Sequence, residues 1–176
     1  MGNHESYNNF EDFIKRFIMP NKETGYNLYY SFDIRNTHFV SLNSEIPFEL
    51  LFNTEYKLKF KQWLENDLKS STKRWKIVYL HRPLYVSYNV DFSAKDMIEF
   101  YEEIFYNAKI DLVLSGHTHA YERLFPIYNN TIDFDSIKNN TNVYNNPKYP
   151  TYLVCGTGGN DERDLNCMNI KYIIIC

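Results

Sequence analysis

Glycine, histidine and cysteine are all scarce in this chain, and each shortage narrows what it can be. Six glycines in 176 residues is about half of average usage, which runs near 7%. The three cysteines, Cys155, Cys167 and Cys176, are an odd number without metal-ligand spacing and leave the redox compartment open. No apolar run reaches the roughly 18–20 residues that a helical membrane span needs, so none is expected. The opening residues Met1-Gly2-Asn3-His4-Glu5 carry neither a basic end nor an apolar stretch, so they do not read as a signal peptide. There is no Lys/Arg block either: 19 basic against 22 acidic residues give a net charge of −3, and no nucleic-acid partner is expected.

The shortage of glycine is uneven. Gly2, Gly116, Gly156, Gly158 and Gly159 fall in three short segments, and two of these also hold His4, His117 and His119. A chain so sparing of glycine that still concentrates it has backbone needs at those places.

The rest of the composition is that of a folded domain, with 44% hydrophobic and 23% charged residues. Its length fits one domain, residues 1–176, able to bury roughly 68–70% of its unfolded surface. Phe10, Phe13, Ile14, Phe17 and Ile18 recur at helical spacing, and Pro20 ends that helix. Leu28, Tyr30, Phe32 and Ile34 alternate with polar neighbours as in a half-buried strand, and a turn at 35–37 leads into a second strand over 38–43, a hairpin. Tyr56, Phe60, Trp63, Leu64 and Leu68 mark a second helix with Thr54 as its cap. Residues 75–80 and 110–114 read as strands buried on both faces. Between them Met97, Tyr101, Ile104 and Phe105 mark a third helix, capped by Ser93. Residues 129–146 read as a polar loop, 151–155 as a strand, and 170–175 as one more.

Strand 75–80, helix 94–107 and strand 110–114 make a βαβ unit with parallel strands. Open α/β sheets bind ligands outside the carboxyl ends of their strands. His81 follows the first strand, and Gly116-His117-Thr118-His119 follows the second. Three histidines are thus delivered to one sheet edge, and imidazole is the commonest ligand for intermediate metals such as zinc and iron. His38 lies within a strand and reads as structural.

Gly2-Asn3-His4-Glu5, then Tyr79-Leu80-His81-Arg82-Pro83-Leu84-Tyr85, then Gly116-His117-Thr118-His119-Ala120-Tyr121-Glu122-Arg123 resemble, in order, the purple acid phosphatases, a family of calcineurin-like metallophosphoesterases. Residues 39–45, 62–65 and 156–160 add weaker support, so the likeness runs from residue 2 to about 165. It implies an α/β fold, part of a four-layer αββα sandwich, and hydrolysis of phosphate monoesters at a dinuclear metal centre of iron with zinc, manganese or iron. It also implies Asn3, His81 and His117 as ligands of the divalent metal and His119 as a ligand of the second. His4 would contact the substrate phosphate and assist the leaving group.

Two further family motifs, Asp-x-Gly and Gly-Asp-x-x-Tyr, would lie upstream of Gly2, and a histidine pair of plant members is matched here by Val90 and Asp91. The expectation is therefore a partial catalytic domain that holds at most one divalent metal and is inactive alone. The alternatives are a catalytically dead binding module and a mononuclear zinc hydrolase using Asn3, His81, His117 and His119. Phe10, Phe32, Val40, Trp63 and Val78 are expected in the core, with a bare sheet edge prone to aggregation. The resemblance implies a secreted or lysosomal glycoprotein. Asn129-Asn130-Thr131 and Asn139-Asn140-Thr141 fit the N-glycosylation pattern.

Overall fold

The computed structural model describes residues 1–20, 28–48, 52–87, 94–137, 143–159 and, for the backbone, 173–175. Val90, Asp91, Ser93 and the triplet 139–141 lie outside these residues. The elements in chain order are helix α1 (Glu11–Arg16), strands β1 (Tyr30–Ile34) and β2 (Thr37–Ser41), helix α2 (Thr54–Ser70) and strand β3 (Trp75–Tyr79). Helix α3 (Ala94–Asn107) and strand β4 (Leu112–Ser115) follow. Then come β5 (Tyr121–Leu124), β6 (Ile127–Tyr128), β7 (Thr131–Ile132), β8 (Thr151–Cys155) and β9 (Ile173–Ile175). The fold class is α/β, as the sequence implied.

Seven strands form one sheet in the order β1-β2-β3-β4-β8-β5-β9. The hairpin β1–β2 is antiparallel and joins the βαβ unit through the parallel pair β2–β3. β3–β4 and β4–β8 are also parallel, while β5 runs back against β8. The residues 121–124, which carry part of the longest motif, thus form a strand that periodicity did not reveal. Inside the polar stretch from 129, Thr131–Ile132 is likewise a strand, β7, paired with β6 just before the stretch.

The two faces of the sheet differ. Val40, Val78, Val113 and Tyr152 are buried beside Phe60, Leu64 and Leu68 of α2 and Met97, Tyr101 and Phe105 of α3. Each such side chain contributes about 1.5–3 kcal/mol on burial. On the other face Phe32, Phe39, Ile77, Tyr79, Leu112, Leu114 and Leu153 are only half-buried. Neither β3 nor β4 is therefore buried on both faces, and Phe32 sits on the half-exposed side, stacked on Phe39 with ring centroids 5.3 Å apart. Alternation separates two faces but cannot say which one helices will cover.

Other local expectations also need correction. α1 is short and none of its residues is buried, while Phe17 and Ile18 fall beyond its end and are exposed. Phe10 is buried just before it. Trp63 is only half-buried. The cap of α2 is Asn53, whose side chain accepts the Tyr56 N–H, because the backbone is still extended there and Thr54 is already helical. Among the described residues β1 pairs only with β2 and β9 only with β5, so both are sheet edges.

His38 ties the hairpin to α2. Its Nδ1 lies 2.8 Å from Asp33 Oδ1 and its Nε2 3.0 Å from Asp67 Oδ2, while Ser31 Oγ donates to the other Asp67 oxygen at 2.7 Å. The Asp67 carboxylate, and then Asp33, raise the His38 pKa against the opposing effect of burial. A raised folded-state pKa gives stability that is complete below the unfolded value of about 6.5 and is lost as pH rises through the folded value. The stability gap between wild type and His38→Gln, measured by urea unfolding, should therefore be larger near pH ~5.5 than near pH ~9.

Candidate metal centre

The parallel order of β2, β3, β4 and β8 places four loops at one sheet edge. Leu42 N–H donates to the Tyr79 carbonyl, Leu80 N–H to that of Leu114, and Gly116 N–H to that of His81, so the loops are stitched together as they leave the strands. His81 comes from the loop after β3 and His117 from the loop after β4. Their rings meet edge to face at 4.9 Å, with His81 Nε2 3.1 Å from His117 Nδ1. His117 adopts a left-handed φ of 65°, a cost of about 1–3 kcal/mol for a non-glycine residue.

Asn3 arrives from the other end of the chain. Residues Asn3–Phe10 begin as a 3₁₀ turn whose first residues are fixed by Glu5, which accepts the Gly2 N–H at 2.7 Å. Asn3 Oδ1 then lies 2.7 Å from His81 Nε2. Gly2 is needed because the segment lies on the His81 ring: a Cβ there would come within 2.5 Å of His81 Cγ. The second motif glycine works in the same way. A Cβ on Gly156 would lie 1.8 Å from the Thr118 carbonyl oxygen, so only glycine lets the loop after β8 rest on the histidine loop.

Three atoms that carry lone pairs, Asn3 Oδ1, His81 Nε2 and His117 Nδ1, therefore converge. His81 Nε2 has a single position with which to donate or accept, and it faces both neighbours. Spacings of 2.7 and 3.1 Å match the edges between ligands bound at about 2.0–2.2 Å to one cation. An amide oxygen with imidazoles suits zinc, manganese or iron. The residues fit a divalent cation. Burial first, and then the electrostatic effect of the nearby His117, N-terminal amine and Arg82, lower the His81 pKa to about 4. Its ring is thus neutral in mildly acidic solution.

His119 follows two residues after His117 on the same loop and is half-buried. His4 stands exposed next to Asn3, its ring 6.2 Å from that of Tyr7, and lines with His81 a cavity of about 650 Å³. Among the described residues no group of three or more His, Cys, Asp or Glu side chains is placed to hold a metal. The gathered donors are an amide and two imidazoles.

The sequence reading missed the residues behind His117. Glu45, 1% exposed, accepts both bonds from Arg82 Nε, at 3.0 and 2.9 Å, and Arg82 Nη1 lies 3.4 Å from His117 Nε2. Ser44 Oγ accepts the Arg82 N–H, and Asn43 Oδ1 accepts the Glu45 N–H. The signal was present in Asn43-Ser44-Glu45 at the carboxyl end of β2, and in an arginine next to His81. Nothing in the pattern showed that a buried carboxylate would fold onto that arginine. Two further buried carboxylates hold the surrounding loops: Glu122 accepts from Ser87, and Glu102 accepts from Tyr85 and from the Asn129 N–H.

The calcineurin-like phosphoesterase family profile matches residues 1–121. Acid phosphatase type 7 of Homo sapiens is 34% identical over 179 residues, which cover 92% of this chain and 40% of the human protein. Purple acid phosphatase 23 of Arabidopsis thaliana is 35% identical over 173 residues, 92% of this chain and 34% of that protein. The chain thus spans well under half the length of these relatives. A purple acid phosphatase from yellow lupin (Lupinus luteus) seeds superposes with a TM-score of 0.72 at 23% identity, over 94% of this chain and 29% of the lupin chain. That likeness is one of fold.

Gly2→Ala and Gly156→Ala should each disturb the convergence, because the added methyl group meets His81 or the Thr118 carbonyl. The overpacking should cost about 1–3 kcal/mol in thermal or urea unfolding. Gly158→Ala, with nothing within 4 Å of the added methyl, is the control and should match wild type.

Proposed function

The chain belongs to the calcineurin-like phosphoesterase family, and we propose that it supplies one metal position, and one ligand of a second, to a dinuclear acid phosphatase centre. The observation that carries this reading is the convergence of Asn3 Oδ1, His81 Nε2 and His117 Nδ1. The family acts on phosphate esters, and its acid phosphatase members place phosphate monoesters among the substrates to test. Asn3, His81 and His117 would hold the divalent ion, of zinc, manganese or iron, and His119 the second, an iron. When bound, such a pair activates water and clamps the attacking and leaving oxygens of an in-line displacement.

The chain's own residues divide the remaining work. Asn3, His81 and His117 would ligate through an amide oxygen and neutral imidazoles, so they would orient a cation without cancelling its charge. His4, exposed and lining the cavity, would reach a bound phosphate and hand a proton to the leaving oxygen. Gly2, Glu5 and Gly156 keep the segments that carry these side chains pressed together. A secreted or lysosomal location accompanies this reading, and among the described residues no helix is long and apolar enough to cross a membrane.

The named donors are one amide and three imidazoles, and none of them is anionic. Such a set does not neutralise two cations, which in a dinuclear site sit about 3.5–4 Å apart. Purified chain titrated with zinc or manganese should bind at most one ion tightly. It should show no purple colour and should turn over an aryl phosphate near background. His81→Ala should abolish that binding. Two bound metals with His119-dependent turnover would overturn the one-ion reading. No bound metal in wild type would overturn the metal centre itself and favour a binding module without turnover.

A further inference from the structure

A buried ion pair seldom adds net stability over apolar side chains of the same size. The Glu45–Arg82 pair is of this kind, with the two side chains 1% and 18% exposed. Its place in the fold gives it another use. The turn that carries Glu45 is tied to the core, because the Tyr101 hydroxyl of α3 donates to the Asn43 carbonyl at 3.1 Å. Ser44 Oγ donates to Glu45 Oε1 at 3.0 Å and accepts the Arg82 N–H at 3.1 Å. The Arg82 guanidinium carbon lies 5.2 Å from the centre of the Phe48 ring. Arg82 is thus held at Nε and on one flat face, with Nη1 turned toward His117 Nε2 at 3.4 Å.

His117 has a use for such a neighbour, since its own torsion does not choose a ring orientation. Rotation about the Cβ–Cγ bond of histidine is broad and roughly two-fold. Turning the ring over exchanges Nδ1 with Cδ2 and Nε2 with Cε1. The first exchange would put a C–H where Nδ1 now stands 3.1 Å from His81 Nε2. The second would put a C–H against the guanidinium. Arginine offers donors and no acceptor, and of the atoms exchanged on that side of the ring only Nε2 can accept. Arg82 therefore favours the one orientation that aims Nδ1 at His81 and Asn3.

We propose that Arg82, anchored by Glu45, is a positioning residue that sets the His117 ring before any cation arrives. The ligand set is then assembled in the metal-free chain, and binding does not have to turn the ring. The inference rests on the reading of Asn3, His81 and His117 as one cation position.

The test is nuclear Overhauser spectroscopy on the histidine rings of the metal-free full chain. In wild type, His117 Hε1, next to Nδ1, should give a cross-peak to the His81 ring protons, and His117 Hδ2 should give none. Arg82→Met alone would leave Glu45 as an unpaired buried charge, so the variant is Arg82→Met combined with Glu45→Gln. Its His117 Hδ2 should gain a cross-peak to His81 as the ring populates both orientations. Glu102→Gln is the control: Glu102 holds Tyr85 and Asn129 and touches neither histidine, so the wild-type pattern should persist. A double variant that keeps the wild-type pattern would overturn the proposal, and so would the same new cross-peak in Glu102→Gln. Zinc titration separates the two readings. A wild-type chain that binds no zinc removes the metal centre, while the cross-peaks still decide what Arg82 does.

Discussion

Four neighbouring strands running parallel, β2, β3, β4 and β8, set the conditions for everything else in this molecule. Val40 pairs with Val78, Val78 with Val113, and Val113 with Tyr152, so one buried row crosses the sheet beneath the helices. A slip of one residue in any pair would turn valines toward the half-exposed face. The same register makes all four strands end at one edge. The loops beginning at Leu42, Leu80, Gly116 and Gly156 therefore have to share one small volume.

Sharing that volume is a steric problem before it is a chemical one. Gly2 and Gly156 solve it by having no Cβ where the His81 ring and the Thr118 carbonyl lie. Buried carboxylates solve the rest. Glu45, Glu102 and Glu122 each accept hydrogen bonds from the loops around the site, and Glu45 also faces an arginine charge. A buried carboxylate left unpaired costs several kcal/mol, so each of these groups fixes its loop in one arrangement. The chemistry-bearing side chains inherit that order, and they do not have to supply it.

Much of this was legible without coordinates. His81 and His117 follow strands predicted to be parallel neighbours, so their approach could be deduced from order alone, and they do approach. Asn3 could be assigned only by motif, because nothing in periodicity says that the start of a chain will fold over residue 81. The Glu45–Arg82 pair was not legible at all. Its partners are 37 positions apart, and their contact depends on the turn after β2 and not on any spacing. Strand β5 was not legible, because it spans only Tyr121–Leu124 and is held by pairing with β8 further along the chain.

By itself the sequence determined the α/β class, the hairpin, the second and third helices and the two histidine-bearing loops. Those follow from local periodicity and from the rule that a βαβ unit has parallel strands. The structure decided which face of each strand is covered, that Asn53 and not Thr54 caps α2, and which buried acids hold the loops. Phe32 and Ser31 show why. Alternation gives them opposite faces, but Ser31 is the one that is buried, because Asp67 on α2, itself paired with His38 on β2, meets it there. Burial belongs to the side that another element covers, and that element lies too far along the chain for any local pattern to name it.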